Sequence, residues 1–239
     1  MHTYVWVCLI LFLAGFTHGI SGFGSVMLSI PLLAVVLDIK TVIPLANLVA
    51  VTMTVAVFLQ LRHQFDWKKL YPLIWGAIPG IVLGVFFLKR LDKKTIHWLL
   101  GVLLIGFAGY SLLFRPSRKK IRKKWAYGFG FLSGCLGGAF SALGPPVIVY
   151  TSLQTWSKDQ IKVTLQAFFF LSGVVIGVSH ALSGITTLRV LHFYAAALPA
   201  LLLGAGLGSF FYGFINEESY RRLIIFLLAC LGVLMIYRA

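Results

Sequence analysis

The sequence predicts an all-α integral membrane protein built from two inverted copies of one unit. Of its 239 residues, 59% are hydrophobic and only 11% are charged, against roughly a quarter charged in a soluble domain. The apolar runs are long and numerous, so a lipid bilayer is the solvent that they imply. Only helices and closed barrels satisfy their backbone hydrogen bonds in hydrocarbon. Because these runs lack the alternating pattern of barrel strands, we expect helices.

Ten apolar segments follow one another along the chain: 4–20, 24–37, 41–61, 70–88, 95–114, 126–142, 144–153, 160–183, 190–213 and 220–237. A full crossing needs about 20 helical residues. The second and seventh segments are too short for this, and the sequence leaves open whether they cross or re-enter. Each half then holds three or so full spans plus a hairpin with a broken or short helix, which gives about 8–10 membrane segments.

Matching motifs predict that the second half repeats the first. The pattern Gly-Phe-x-x-Gly at 15–19 recurs at 130–134, 115 positions later. The pattern Ala-x-Pro at 77–79 recurs at 197–199, 120 positions later. Several matches in the same order indicate a duplication, and internal repeats are a recurring basis of transporter folds.

The basic residues predict the orientation. The formal net charge is +15, and the stretch 115–124 alone holds seven basic residues and no acidic one. Such a stretch between spans marks the cytoplasmic side. We therefore expect a cytoplasmic linker, 115–125, between a first repeat, 1–114, and a second, 126–239, with both termini in the periplasm. Recognition of RNA or anionic lipid is the alternative, and the position of the charges between the segments argues against nucleic acid.

Metal, cofactor and catalytic sites are not expected. The three cysteines lie far apart inside apolar segments, and no pair has metal-ligand spacing: Cys8, Cys135 and Cys230. No nucleophile stands near a buried base. The six acidic residues all lie at segment ends or in loops, so the usual proton or sodium relay has no carboxylate. The sequence therefore predicts a protein that is not an enzyme.

Glycine-rich breaks precede both short segments, at 19–24 and 134–139. A helix that restarts at membrane depth directs unpaired N–H groups and its positive dipole end towards an anion. For each break alone, close helix packing is the alternative. Because the breaks stand at equivalent places, we expect them to share one small anion through residues at their centres: Ser21, Gly22, Gly24, Ser25, Gly137, Gly138 and Ser141.

Other polar side chains at membrane depth are further candidates. Asn47 and Gln166 lie at nearly equivalent places on the segments after the two short ones. Each could donate an amide N–H to an oxyanion or bond a neighbouring helix. His18, within the first break, is a candidate for substrate binding or a proton relay, with a helix–helix hydrogen bond as the alternative. His180 is considered on the same grounds.

The run from Gly15 to Gly24, with Pro31 after it, resembles the N-terminal motif of the sulfite exporter TauE/SafE family. The run from Gly134 to Pro146 is similar to the second-repeat counterpart, and the resemblance covers essentially the whole chain. It implies an inner-membrane secondary transporter that exports sulfite, sulfoacetate or a related organosulfonate by alternating access. Ala139 stands where many members continue with glycine, which puts the exact substrate in doubt. An anion channel and a membrane-embedded enzyme are the alternatives, and homo-oligomerisation is left open.

Overall fold

The computed structural model describes residues 2–22, 24–61, 65–113, 122–211 and 217–239. Within them the chain forms ten α-helices and no strand, in the predicted order: α1 His2–Ser21, α2 Ser25–Val36, α3 Ile39–Leu61, α4 Trp67–Arg90, α5 Lys93–Leu113, α6 Trp125–Phe140, α7 Gly144–Ser152, α8 Lys158–Leu182, α9 Leu188–Phe211 and α10 Glu217–Tyr237. Most of the predicted basic linker lies outside the described residues.

Length and composition confirm the integral membrane class. Five helices, α1, α4, α5, α8 and α9, are long and apolar enough to cross a membrane. Their outward faces carry large apolar side chains such as Val82, Phe86 and Leu203. The short helices α2 and α7 have 12 and 9 residues, which at 1.5 Å per residue is well below the thickness of a hydrocarbon core. Neither of them is long enough to cross alone.

The helices pack into two units, each drawing on both halves of the sequence. Unit 1 comprises Met1–Val49, Leu91–Arg115 and Thr187–Ala239. Unit 2 comprises Ala50–Arg90 and Pro116–Thr186. The predicted repeats are consecutive in the sequence, whereas each packing unit combines segments from both halves. The boundaries of the repeats stay a prediction.

In unit 1, α1 and α9 touch backbone to backbone through glycines. A Cβ atom added to Gly15 would lie 2.2 Å from the carbonyl oxygen of Leu201, and one added to Gly19 would lie 2.3 Å from that of Ala205. A Cβ atom added to Gly204 on α9 would lie 2.1 Å from the carbonyl oxygen of Phe12 on α1. The contacts advance in the same direction on both helices, so α1 and α9 run parallel. Small residues four apart are the usual means of such approach in membranes.

In unit 2, α4 and α6 make the same kind of contact. A Cβ atom on Gly134 would lie 2.2 Å from the carbonyl oxygen of Ala77, and one on Gly138 would lie 2.4 Å from that of Ile81. The contacts again advance together, so these helices are also parallel. Other glycines of the two helices are as closely packed: Gly76, Gly80, Gly84 and Gly130.

These contacts correct the alignment of the repeats. Gly15 and Gly134 play the same part in their units, as do Gly19 and Gly138, and both pairs are 119 positions apart. Their partners on α9 and α4 are 124 positions apart. The starts of α2 and α7 are also 119 positions apart, so the motif-based offsets of 115 and 120 are wrong by four residues, about one helical turn.

The same offset of 119 positions also separates equivalent helix starts and turns of the two halves, which are independent of the glycine contacts. The two short helices begin at equivalent positions, a left-handed residue precedes each of them, and the next helix follows an equivalent turn residue whose side chain accepts a backbone N–H bond. The pairs are Ser25 with Gly144, Gly22 with Ser141, and Asp38 with Ser157. This common register supports the predicted duplication.

The carboxyl end of α2 is fixed by two basic side chains. Lys93, at the start of α5, forms an ion pair with Asp38, just after α2. Burial raises the pKa of the Asp38 carboxyl, but hydrogen bonds from Lys93 and from the Lys40 N–H outweigh it and hold that pKa below its ordinary value. The Arg238 guanidinium donates to the carbonyl oxygen of Ala34 in the last turn of α2, at 3.3 Å. Both bonds anchor the short helix away from its break.

Candidate functional site

The first break requires glycine at two positions. Gly22 has φ +72° and Gly24 has φ +91°, a conformation that residues with a Cβ rarely adopt. The Gly22 N–H donates to the His18 carbonyl at 2.7 Å and ends α1. No side chain caps the start of α2 at Ser25. The sequence pattern therefore placed this break correctly.

His18 and Ser25 meet across the first break. The His18 Nδ1 lies 3.1 Å from the Ser25 Oγ, and both side chains are buried. The last turn of α1 is thereby tied to the first residue of α2. Which of the two atoms donates depends on the tautomer of the imidazole. Two predicted site residues are thus in direct contact.

Ser21 shares its hydrogen-bond acceptor with a residue that the sequence did not single out. The Ser21 hydroxyl donates to the Thr17 carbonyl at 2.7 Å, and the Tyr220 hydroxyl donates to the same oxygen at 3.3 Å. Tyr220 comes from α10, at the far end of the chain. No local motif marks it, since only packing within unit 1 brings α10 to the first break. The structure adds Tyr220 to the candidate site.

The second break ends α6 with a left-handed serine. Ser141 has φ +56° and is the one residue other than glycine with positive φ in the described part of the chain. Its N–H donates to the Gly137 carbonyl at 2.7 Å, and the Ala142 N–H donates to Leu136 at 3.3 Å. This bonding pattern commonly ends helices, usually with glycine at the left-handed position.

The left-handed serine leads to a testable prediction. A residue with a Cβ costs about 1–2 kcal/mol in this conformation, yet serine stands where the first repeat has Gly22. We expect Ser141→Gly to raise the thermal unfolding midpoint of the purified protein and Ser141→Ala to leave it nearly unchanged. If the hydroxyl contacts substrate, both variants lose transport. A stabilised Ser141→Gly variant that transports normally would show that the hydroxyl is dispensable.

The two helix starts differ in the donors that they offer an anion. The first four N–H groups of a helix have no intrahelical partner. At α2 these belong to residues 24–27, none of which is proline. At α7 two of the four positions are Pro145 and Pro146, which have no N–H. Neither start carries a side-chain cap. The first break is therefore the better source of backbone donors.

His180 supports the second break from α8. Its Nε2 lies 2.9 Å from the Gly138 carbonyl oxygen, and its side chain is 0% exposed. Because a carbonyl only accepts, Nε2 carries the proton in this bond. The helix ends here, and the Ala142 N–H that would continue the ladder to Gly138 is bonded to Leu136 instead. The imidazole satisfies the orphaned carbonyl, while its Nδ1 has no partner among the described residues.

The structure gives the two predicted glycines of the second break a packing role. A Cβ atom on Gly137 would lie 2.5 Å from the Leu143 side chain and 2.9 Å from that of Ile176. Gly138 lies against the backbone of Ile81 on α4, as described above. Close packing, the alternative considered from the sequence, accounts for both residues without a ligand.

The two predicted amides occupy equivalent positions. Asn47 on α3 and Gln166 on α8 are 119 positions apart, and each is 2% exposed. The six candidates of the first break and α3 belong to unit 1, and the four of the second break and α8 belong to unit 2. Within the described ranges, no group of three or more His, Cys, Asp or Glu side chains could hold a metal ion.

Comparison with known proteins gives consistent matches. The family model described as sulfite exporter TauE/SafE matches residues 7–235. A protein of Cupriavidus necator named probable sulfite/organosulfonate exporter TauE is 23% identical over 218 residues, 88% of this chain and 84% of that protein. A protein of Comamonas testosteroni named probable inner membrane transporter protein TsaS is 23% identical over 173 residues, 72% of each chain. No solved structure matches significantly.

Proposed function

This chain belongs to the sulfite exporter TauE/SafE family and is a membrane transporter, not an enzyme, and we propose that it exports a small sulfur-containing anion across the inner membrane. Sulfite, sulfoacetate and related organosulfonates are the substrate class. The names of the two relatives, a probable sulfite/organosulfonate exporter and a probable inner membrane transporter protein, support this choice.

The single observation that carries the proposal is the pair of equivalent helix breaks. A left-handed residue, Gly22 or Ser141, ends the first helix of each pair, and an uncapped short helix starts three residues later. Such interruptions at membrane depth are found where they line a cavity, and discontinuous helices form the substrate sites of several transporter folds. In the proposal, each break offers donors to a small anion within its own unit, and access to the anion alternates.

The first break supplies most of the binding energy in this proposal. The start of α2 offers backbone N–H groups and a dipole end that favours an anion by roughly 0.3–2 kcal/mol. The hydroxyls of Ser21 and Tyr220, which share the Thr17 carbonyl in this structure, turn towards the oxyanion as donors. The second break adds the Ser141 hydroxyl. Asn47 and Gln166 add amide donors from equivalent positions.

Export of an anion does not require coupling to the flow of protons or sodium ions. A cell interior at negative potential drives an anion outward by about 2.3 kcal/mol per charge per 100 mV. The carboxylates of Asp38, Asp66, Asp92 and Asp159 lie at turns and helix starts, outside the buried interior of the helices. A carboxylate at the site would repel the cargo. The basic stretch 115–124 faces the cytoplasm in this proposal, and both termini face the periplasm.

Flux measurements test the proposal. Proteoliposomes with an imposed membrane potential are expected to show saturable sulfite or sulfoacetate flux. The double variant Ser21→Ala with Ser141→Ala should lose most of that flux, because two of the neutral donors are removed. Ser111→Ala on α5 is the matched control and should transport normally.

Two outcomes would contradict the proposal. Flux that rises linearly with substrate at channel-like rates would favour an anion channel over a carrier. Flux unchanged in the double variant would show that the breaks do not contact the substrate, even if the family's transport activity is present.

A further inference from the structure

One end of unit 2 gathers the amino-terminal ends of three helices. The helices α4 and α6 are parallel and in backbone contact, so Trp67 and Trp125 start them at the same end. The Lys69 ammonium lies over the ring of Trp156, just before α8 begins, at 5.1 Å from the ring centroid. The start of α8 is therefore at this end too. Three positive helix-dipole ends point the same way.

Most charged side chains at this end are basic, so their charge has the same sign as the positive ends of the helix dipoles. Within the described residues, seven basic side chains stand on the first two turns of these helices or just before them: Lys68, Lys69, Arg122, Lys123, Lys124, Lys158 and Lys162. Only Asp66 and Asp159 oppose them. None of the seven forms an ion pair in the described part of the chain, where the ion pair found is that of Asp38 with Lys93. With seven basic side chains against two carboxylates, this end of the unit is positive and attracts anions.

Aromatic rings hold two of the ammonium groups in place. Lys69 lies over Trp156, and Lys123 lies over the ring of Tyr71, again at 5.1 Å. Both lysines thus flank the first turns of α4. Cation–π contacts restrict a lysine that would otherwise sample many rotamers. The two charges are presented at a fixed place on the surface.

Exposed indoles place the same surface at the edge of the membrane. Trp67 is 60% exposed and Trp125 is 61% exposed, and each starts a helix that is mostly apolar from its second turn onward. Tryptophan concentrates at the level of the lipid headgroups. A ligand that binds here has a phosphate beside lysines and apolar chains beside the helix faces, which is the structure of a phospholipid.

We propose that Lys69 and Lys123 bind the phosphates of anionic phospholipid headgroups at this end of unit 2. The sequence-based alternative of anionic-lipid recognition concerns the basic stretch 115–124 as a whole, whereas this site combines one residue of that stretch, Lys123, with Lys69 on α4. The proposal does not depend on the transported substrate. Retention of a negative lipid here also favours the cytoplasmic placement of this end.

Thermal unfolding in defined lipid tests the proposal. The full-length protein is reconstituted in nanodiscs of phosphatidylcholine with or without phosphatidylglycerol. The wild type is expected to unfold roughly 3 °C higher with phosphatidylglycerol. Lys69→Gln with Lys123→Gln should lose most of that shift. Lys89→Gln with Arg90→Gln, at the opposite end of α4, removes the same charge and should keep it.

Several results would overturn the lipid site. These are an equal midpoint in both lipids for the wild type, or an equal loss of the shift in the control pair. Protection by soluble glycerol phosphate as strong as that by the lipid would identify a free phosphate ligand instead. If the double variant does not fold, the single variants Lys69→Gln and Lys123→Gln are measured, and each must lose part of the shift. Lys69→Arg with Lys123→Arg must retain it.

Discussion

Replacing Gly134 by alanine is expected to prevent accumulation of the folded transporter. The new methyl group would lie 2.2 Å from the carbonyl oxygen of Ala77 and 2.9 Å from its carbonyl carbon. Both are backbone atoms, so no change of rotamer relieves the overlap, and α4 and α6 must separate. Overpacking of this kind costs on the order of 3 kcal/mol, a large part of the stability of a typical domain.

Gly128→Ala is the matched control for this prediction. Gly128 lies on the same helix, six residues earlier, and a Cβ atom there would meet nothing within 4 Å. Since alanine is the better helix former, the control should express as well as the wild type. Size-exclusion profiles of detergent extracts measure the folded fraction. Equal yields for the two variants would show that α4 and α6 do not pack backbone to backbone.

The glycines of α6 explain why the sequence predicts the helices but not the alignment of the two repeats. Long apolar runs and Gly-rich breaks gave ten segments close to the observed helices. On α6, however, Gly130, Gly134 and Gly138 repeat once per turn, so a glycine motif matches equally well after a shift of one turn. The starts of the two short helices decide between these shifts, because all three glycines face a carbonyl of α4 in the same way. The motif-based alignment failed for this reason.

The candidate site was predictable where the backbone alone determines it. Gly22 and Gly24 are needed for positive φ, and a break after α1 follows directly from them. The sequence did not single out Tyr220, and it did not predict the hydrogen bond of His180 to Gly138, because helices distant in the chain deliver both side chains. The two packing units could not be predicted either. A helix face that contacts lipid and one that contacts another helix are both apolar, so composition does not distinguish them.

Replacing His180 by leucine is expected to destabilise the protein by about 2 kcal/mol and to abolish transport. The substitution leaves the buried Gly138 carbonyl without a donor, and an unsatisfied buried acceptor costs about 1–3 kcal/mol. The end of α6 then loses the bond that holds the break, three residues before the left-handed Ser141. Thermal unfolding and flux in proteoliposomes measure the two effects.

His180→Gln separates positioning from direct participation of the imidazole. A glutamine amide nitrogen is about as far along the side chain as the imidazole Nε2, so it can donate to the Gly138 carbonyl. His192→Gln, at an exposed site on α9, is the control and should behave as the wild type. If His180 acts through the break, glutamine restores both stability and flux, with an unchanged pH profile. Restored stability without flux would instead assign a role to Nδ1, the buried atom that has no partner in the described residues. A leucine variant that transports normally would contradict both roles, because the break would then hold its shape without the hydrogen bond.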